Sequence, residues 1–278
     1  MKLATWNINS IRARADRALD VLQRHDLDVL ALQEIKCKPE QFPVEEFEAA
    51  GYEVAAHGLN QWNGVAIVSR VGVEGVRHEF GGQPGFTKGA PADGLYLPGE
   101  PEARAIGATC GAAPGTSGAA GGVEVWSLYV PNGRAVGDPH YHYKLAWLDA
   151  LKQRAAERIA EDPQAKIALV GDWNVIPTDA DVWDVTATGG LYLSQPERDA
   201  FFAFEEAGFV EVSRPRATNY TFWDYQQLRF PKNQGMRIDY VYASPALAER
   251  VSAVEIDRDE RKGKGASDHV PVIVDFDL

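Results

Sequence analysis

Apolar residues fall along this chain mostly in short runs, and only a few segments carry the wider spacing of a helix. Residues 3–8 read as a strand, and in 11–24 Ala15, Ala18, Leu19 and Leu22 recur at helical spacing. Residues 27–32 form a second continuous apolar run, the pattern of a buried strand. Shorter stretches at 52–56, 64–69, 71–79, 104–109 and 123–130 follow, and several in succession predict hairpins and antiparallel pairing. Residues 143–159 predict a long amphipathic helix, with Leu145, Leu148, Leu151, Ala155 and Ile159 available to one face, leading into a strand at 166–171. Ser194 and Glu197 have capping-box spacing ahead of a helix at 198–207, and the last strands are 238–243, 251–256 and 272–276.

Many strands and few long helices predict an α/β fold: a four-layer αββα sandwich of two mixed sheets packed face to face, with helices outside. Trp6-Asn7 and Trp173-Asn174 both close apolar strands, a hint of two related halves. The glycine- and alanine-rich residues 111–122 read as a mobile hairpin tip without function, and 81–101, rich in Gly and Pro, as a surface excursion.

Composition narrows the class. The chain has 278 residues, 45% of them hydrophobic and 10% aromatic, as in a globular protein and not in a disordered or fibrous one. Candidate site residues run from position 7 to 269, which predicts one domain over 1–278. No apolar run is long enough for a membrane span, and Met1 leads into a strand without a secretory-leader pattern, so the expected location is the cytoplasm. Two cysteines, Cys37 and Cys110, are too few for a disulfide framework. The formal charge of −12 works against long-range attraction to a polyanion. Its distribution is uneven: residues 225–238 hold Arg229, Lys232 and Arg237 and no acid, and Arg12, Arg14, Arg17, Lys36 and Lys38 follow the first two strands. A basic groove on an acidic body is the expectation.

The chemistry sits at strand ends. Glu34 follows the run Val29-Leu30-Ala31-Leu32, where its carboxylate can hold a hard cation such as Mg2+. Asp172 and Asn174 follow Ala168-Leu169-Val170-Gly171; the glycine permits close backbone approach, Asp172 can hold an attacking water, and the Asn174 amide can donate to a phosphoryl oxygen. For a single Asp-x-Asn, an ordinary turn is about as good a reading. His269 has Asp268 beside it as a metal ligand or water-orienting acid, and Asp239, at another strand end, can orient and charge its imidazole. Tyr129 closes a strand before Pro131-Asn132-Gly133-Arg134 and can donate to phosphate, although an interface aromatic is the simpler reading. His140 and His142 have no cysteine or third histidine near them in sequence to complete a zinc site. Carboxylates, an imidazole and a cation at one edge are what phosphodiester cleavage requires.

Taken together, Thr5-Trp6-Asn7, Leu32-Gln33-Glu34-Ile35-Lys36, Tyr129-Val130-Pro131-Asn132, Gly171-Asp172-Trp173-Asn174, Pro177-Thr178-Asp179, Tyr220-Thr221-Phe222-Trp223-Asp224-Tyr225, Arg237-Ile238-Asp239-Tyr240 and Ser267-Asp268-His269-Val270-Pro271 closely resemble the exonuclease III family of apurinic/apyrimidinic endonucleases, almost end to end. The resemblance implies a DNase I-like fold and a metal-dependent DNA repair phosphodiesterase. Such an enzyme incises duplex DNA 5′ to base-less sites and has 3′-to-5′ exodeoxyribonuclease and 3′-phosphodiesterase or phosphatase activity. It implies Glu34 as the principal Mg2+ ligand, with Asn7 and Asp268 near the metal and Mn2+ as a substitute. Asp172 becomes the water-activating or leaving-group acid, with Asn174 orienting it; His269 and Asp239 become the phosphate-binding pair, and Tyr129 and Asn132 join the substrate side. The flipped base-less sugar would enter a small apolar pocket, for which Phe222, Trp223, Met236 and Ile238 are candidates. Arg12, Lys36, Arg134, Arg229 and Lys232 are candidate backbone contacts to double-stranded DNA with base-less sites or blocked 3′ ends, bound by a monomer. The acidity of the chain and residues 111–122 depart from the family's pattern.

The same scaffold resembles that of inositol polyphosphate phosphatases and sphingomyelinases, and fold alone does not choose among these activities. A DNA-binding relative that had lost catalysis should lack at least one of Glu34, Asp172, Asp239 or His269, and all four are present.

Overall fold

The computed structural model describes residues 1–89, 96–112 and 121–278. In chain order its strands and α-helices are β1 (Lys2–Asn7), α1 (Ala15–Arg24), β2 (Val29–Gln33), α2 (Val44–Ala49), β3 (Glu53–His57), β4 (Val65–Ser69), β5 (Glu74–Arg77), β6 (Ala105–Cys110), β7 (Val123–Tyr129), α3 (Pro139–Glu161), β8 (Ile167–Asp172), α4 (Gln195–Glu206), β9 (Val210–Glu211), β10 (Asp239–Ala243), α5 (Pro245–Ala248), β11 (Val251–Ile256) and β12 (Val272–Phe276). They form two six-stranded mixed sheets, β11-β12-β1-β2-β4-β3 and β5-β6-β7-β8-β10-β9. Each sheet is built around one parallel pair, β1 with β2 and β7 with β8, flanked by antiparallel neighbours.

Strand alternation explains the layers. Leu3, Val29, Ala31, Val125, Ala168, Val170 and Val241 meet in the core between the sheets. Their neighbours Ala4, Trp6, Leu30 and Leu32 face outward with Ala18, Val21 and Leu22 of α1, and Ile167 and Leu169 face outward with Trp147 and Leu151 of α3 and Phe201 of α4. Continuing the inward parity places Asn7, Tyr129, Asp172 and Asp239 on the inner face, each at the last or first residue of its strand, at the same end of the sandwich. Gly171 permits this edge: a Cβ there would stand 1.9 Å from the carbonyl oxygen of Leu128 on the paired strand.

Element boundaries differ from the sequence expectation for local reasons. The stretch 11–24 is a short 3-10 turn, Ile11–Ala13, followed by α1. The long helix starts at Pro139, where Asp138 caps the His140 amide at 2.7 Å, ahead of the apolar stripe that marks it in sequence. Helix α2 lies in the acidic stretch and buries only Phe47, so it has almost no apolar periodicity to read. The expected capping box at Ser194 and Glu197 is present. Residues 113–120 of the glycine-rich segment and 90–95 of the excursion lie outside the described residues. The two halves are related by topology, but the relation pairs β1 with β7 and β2 with β8. The repeated Trp-Asn therefore links β1 with β8, which are not equivalent strands, and does not mark the duplication.

Candidate active site

The strand ends converge on Asn7. Its side-chain amide donates to Glu34 Oε1 and to Asp172 Oδ2, both at 3.0 Å, and its Oδ1 accepts the Asn9 amide at 3.1 Å. That acceptor contact fixes which way the amide points. Asn7 is thus a clamp between two carboxylates, with its nitrogen toward them, and does not offer them a metal-ligating oxygen.

Glu34 reaches this point by a backbone exception. Gln33 faces inward, bonding Ser127 of β7 at 2.9 Å, so parity would send Glu34 outward. A left-handed φ of 49° at Glu34 swings its carboxylate back toward Asn7. Asn9, Lys36 and Asn174 also have φ between 47° and 53°, so sparsely populated backbone gathers in the loops around the site. Burial works to raise the Glu34 pKa, but the Lys36 ammonium, 2.8 Å from Oε2, together with the Asn7 amide and the His269 charge, outweighs it and holds the carboxyl below its usual range.

Asp172 is set the opposite way. It pairs with Asp239 across the antiparallel β8–β10 register and with Tyr129 across the parallel β7–β8 register. Burial, together with the charges of Asp239 and Glu34, outweighs the attraction of His269 and pushes its pKa up to about 7. His269 Nδ1 lies 2.9 Å from Asp239 Oδ2, and Nε2 lies 3.8 Å from Asp172 Oδ2. Burial opposes charge on the imidazole, yet Asp239 and Asp172 prevail and push it up to about 10. The Ser267–Val270 segment is pinned by Trp6 Nε1 donating to the His269 carbonyl at 3.0 Å and by Val270 N donating to Thr221 O at 2.9 Å. Tyr129 is buried; desolvation and nearby Glu34 raise its phenol well above the usual value, so it stays a neutral donor. The Arg104 guanidinium lies 4.8 Å from its ring centroid.

Asp172, Asp239 and His269 are close enough to surround a metal ion. The His269 imidazole between the two carboxylates also makes an ion-pair network. Two further carboxylates are linked through Asn9. Asp268 Oδ1 accepts from Asn9 Nδ2 at 2.9 Å, and Asn9 Oδ1 accepts from Lys36 Nζ at 2.6 Å. Lys36 and Asn9 thus connect the Glu34 and Asp268 carboxylates. Carboxylate oxygens of this kind can hold a hard divalent cation, which would compete with Lys36 for Glu34.

Several expectations are corrected. Lys36, expected on the DNA backbone, is engaged by Glu34 and Asn9. Trp223 is fully buried in the inter-sheet core and Ile238 packs with Ile176 and Val182, so neither offers an open pocket wall. Asn174 donates its side-chain amide to Val130 O at 3.0 Å, and its backbone N–H, at 3.0 Å from Asp172 Oδ1, is what orients the aspartate. Phe222 and Met236 do line a cleft, with Trp183, Thr188, Asp224, Arg229 and Gln234, and the Phe222 ring meets His269 edge-on at 4.9 Å. Asn132 donates to Tyr192 OH and accepts the Arg134 amide. Arg12, Arg134 and Lys232 are exposed and Arg229 is half-buried, with Arg134 over Phe86 and Arg229 over Trp183. His140 accepts the Gly133 amide at 3.1 Å and has a pKa lowered to about 4 by burial, then by Arg104 and Arg134: it is a structural acceptor. Sequence reasoning missed Asn9, whose only signal is its place in Asn7-x-Asn9, and Thr221, whose hydroxyl accepts the amides of Ile238 and Asp239 at 3.1 and 3.2 Å.

Comparison with known proteins finds relatives over the length of the chain. Residues 4–269 match the Endonuclease/Exonuclease/phosphatase family. Exodeoxyribonuclease III of Haemophilus influenzae is 28% identical over 290 residues, covering 99% of this chain and all of that one. An exodeoxyribonuclease of Bacillus subtilis is 29% identical over 283 residues, covering 98% of each. Among solved structures, the 3′ phosphatase NExo from Neisseria bound to a product DNA hairpin superimposes with a TM-score of 0.85 at 30% identity, and an AP endonuclease from Archaeoglobus fulgidus with 0.82 at 30%, each over the full length of both chains.

Proposed function

Because the chain belongs to the Endonuclease/Exonuclease/phosphatase family, we propose that it is a Mg2+-dependent DNA repair nuclease of the exonuclease III type. It incises duplex DNA 5′ to base-less sites and also trims or dephosphorylates 3′ ends. The reading rests on its similarity to exodeoxyribonucleases and AP endonucleases and, within the site, on one observation. Two carboxylates bridged by a single amide are held in opposite states, Glu34 ionised and Asp172 poised at about 7.

In this reading the cationic His269, held by Asp239, contacts a non-bridging oxygen of the scissile phosphate, and the Tyr129 phenol donates to another. Asp172, fixed by Asn7 and the Asn174 amide, accepts the proton of the attacking water. Mg2+, or Mn2+ in its place, held by Glu34 with Asp268 nearby, would neutralise phosphoryl charge and assist the leaving oxygen. Phe222 and Met236 form the wall against which the base-less sugar packs, and Arg12, Arg134, Arg229 and Lys232 grip the backbone of a duplex bound by a monomer. No described helix is long and apolar enough to cross a membrane, and we place the enzyme in the cytoplasm with its substrate.

The test is cleavage of a labelled duplex carrying one stable base-less-site analogue, beside an intact recessed duplex, with Mg2+ and with chelator. A single metal-dependent cut 5′ to the lesion is expected. Folded protein that cuts neither duplex with Mg2+ or Mn2+ would overturn the assignment.

A further inference from the structure

Lys144 of α3 is fully buried, an unusual place for an ammonium. Its three donors meet three acceptors: a Glu197 carboxylate oxygen, the carbonyl of Asn174 at 2.6 Å and the carbonyl of Asn132 at 3.5 Å. Glu197, also fully buried, uses its other oxygen to accept the Ser194 amide and hydroxyl at 3.2 and 2.7 Å, the capping box that opens α4. The Lys144 ammonium also lies 5.1 Å from the centroid of Tyr192, whose hydroxyl holds the Asn132 side chain. One charge, anchored in one helix and neutralised from another, thus ties together the turn after β7 and the turn after β8.

We propose that Lys144, with Glu197 as its counter-charge, is a positioning residue of the reaction: it sets the turn that carries Asn132 and the turn whose Asn174 amide orients Asp172. The inference rests on the role given to Asp172 above. Its connection is short: Lys144 Nζ holds the Asn174 carbonyl, and the Asn174 amide holds Asp172 Oδ1. Asn174 sits at φ 50°, in the left-handed region that asparagine tolerates better than most side chains, and the ammonium is a charge-assisted partner for that peptide. Two carbonyls and a carboxylate around one buried ammonium fix both turns in a way a neutral side chain of the same length does not. Burial opposes the lysine charge and Glu197 supports it, so the pair works as a unit.

Lys144→Met alone would strand the Glu197 charge, so the informative variant is the double change Lys144→Met with Glu197→Gln, which removes both charges at nearly constant shape. Expected is a fall in kcat of about 10- to 100-fold with KM within about twofold. Lys144→Arg, which keeps the charge and the donors, should recover kcat to within about threefold of the unaltered enzyme. A folded double variant with full kcat, or one whose loss lies in KM alone, overturns the proposal. If the double variant is too unstable to assay, Glu197→Gln replaces it, with an expected kcat loss of about three- to tenfold at constant KM; full kcat there overturns it equally. Hydrogen exchange at residues 131–134 and 173–176 separates this inference from the functional reading. Those amides should exchange faster in the altered protein even if no DNA substrate is cleaved, and unchanged exchange would overturn the positioning role by itself.

Discussion

Glu34 and Asp172 stand at the same end of corresponding strands, Asp172 as the last residue of β8 and Glu34 one residue beyond β2, each strand the second of a parallel pair in its own sheet. Both are bound by the same Asn7 amide, yet their charge states are driven apart. Lys36 sits 2.8 Å from Glu34 and keeps it ionised; Asp172 faces Asp239 and Glu34 in a dry setting and is raised to about 7. Fold symmetry supplied the two strand ends, a left-handed turn brought Glu34 to the inner edge, and the neighbours of each carboxylate set its charge state. Changes to these carboxylates and their neighbours test that division.

The largest effect is expected for Asp172→Asn, which keeps the shape and removes the proton acceptor: kcat should fall by about 10³-fold or more, with the circular-dichroism spectrum and Tm retained. Near-normal turnover would show that the proton goes elsewhere. Glu34→Gln should lower activity by about 10²-fold at fixed Mg2+ and raise the Mg2+ concentration needed for half-maximal rate. If that concentration does not move, Glu34 is not where the cation binds.

The pH profile follows next. With Asp172 raised to about 7 and His269 to about 10, kcat/KM should rise through about pH 7 and fall near pH 10. Asp239→Asn should bring the alkaline limb down toward the ordinary histidine value near 6.5 and cost about tenfold or more at neutral pH. The stability contributed by the His269 pair has the matching sign. Its folded pKa is raised, so the contribution is fully present below about pH 6.5 and is lost as pH climbs through about 10. Asp239→Asn should therefore lower Tm more at pH 6 than at pH 10. The smallest catalytic effect is expected for Phe222→Ala, which should reduce discrimination between base-less and intact sites by several-fold with little change in stability. Trp223→Ala, one residue on but in the core, should instead destabilise by about 3–5 kcal/mol. Equal stability losses in the two variants would mean that Phe222 is also core.

Much of this was legible in the linear chain because strand parity is local. Apolar alternation in β1, β8 and β10 already sends Asn7, Asp172 and Asp239 to the face shared with Leu3, Val170 and Val241. The same alternation misplaces Glu34, because nothing in Leu32-Gln33-Glu34 announces the left-handed turn that reverses it. Lys36 reads as a free surface cation until the fold brings it against Glu34 and Asn9. Trp223 beside Phe222 reads as a second pocket aromatic until the two sheets close over it. Lys144 looks like any helical lysine in sequence; only the packing of α3 against the turns after β7 and β8 makes it a buried charge. The sequence by itself determined the strands, the layered class and which side chains carry chemistry, since these depend on periodicity and residue type. Partners, burial and the opposite charge states of Glu34 and Asp172 depend on distances between residues far apart in the chain, and only the tertiary structure decided those.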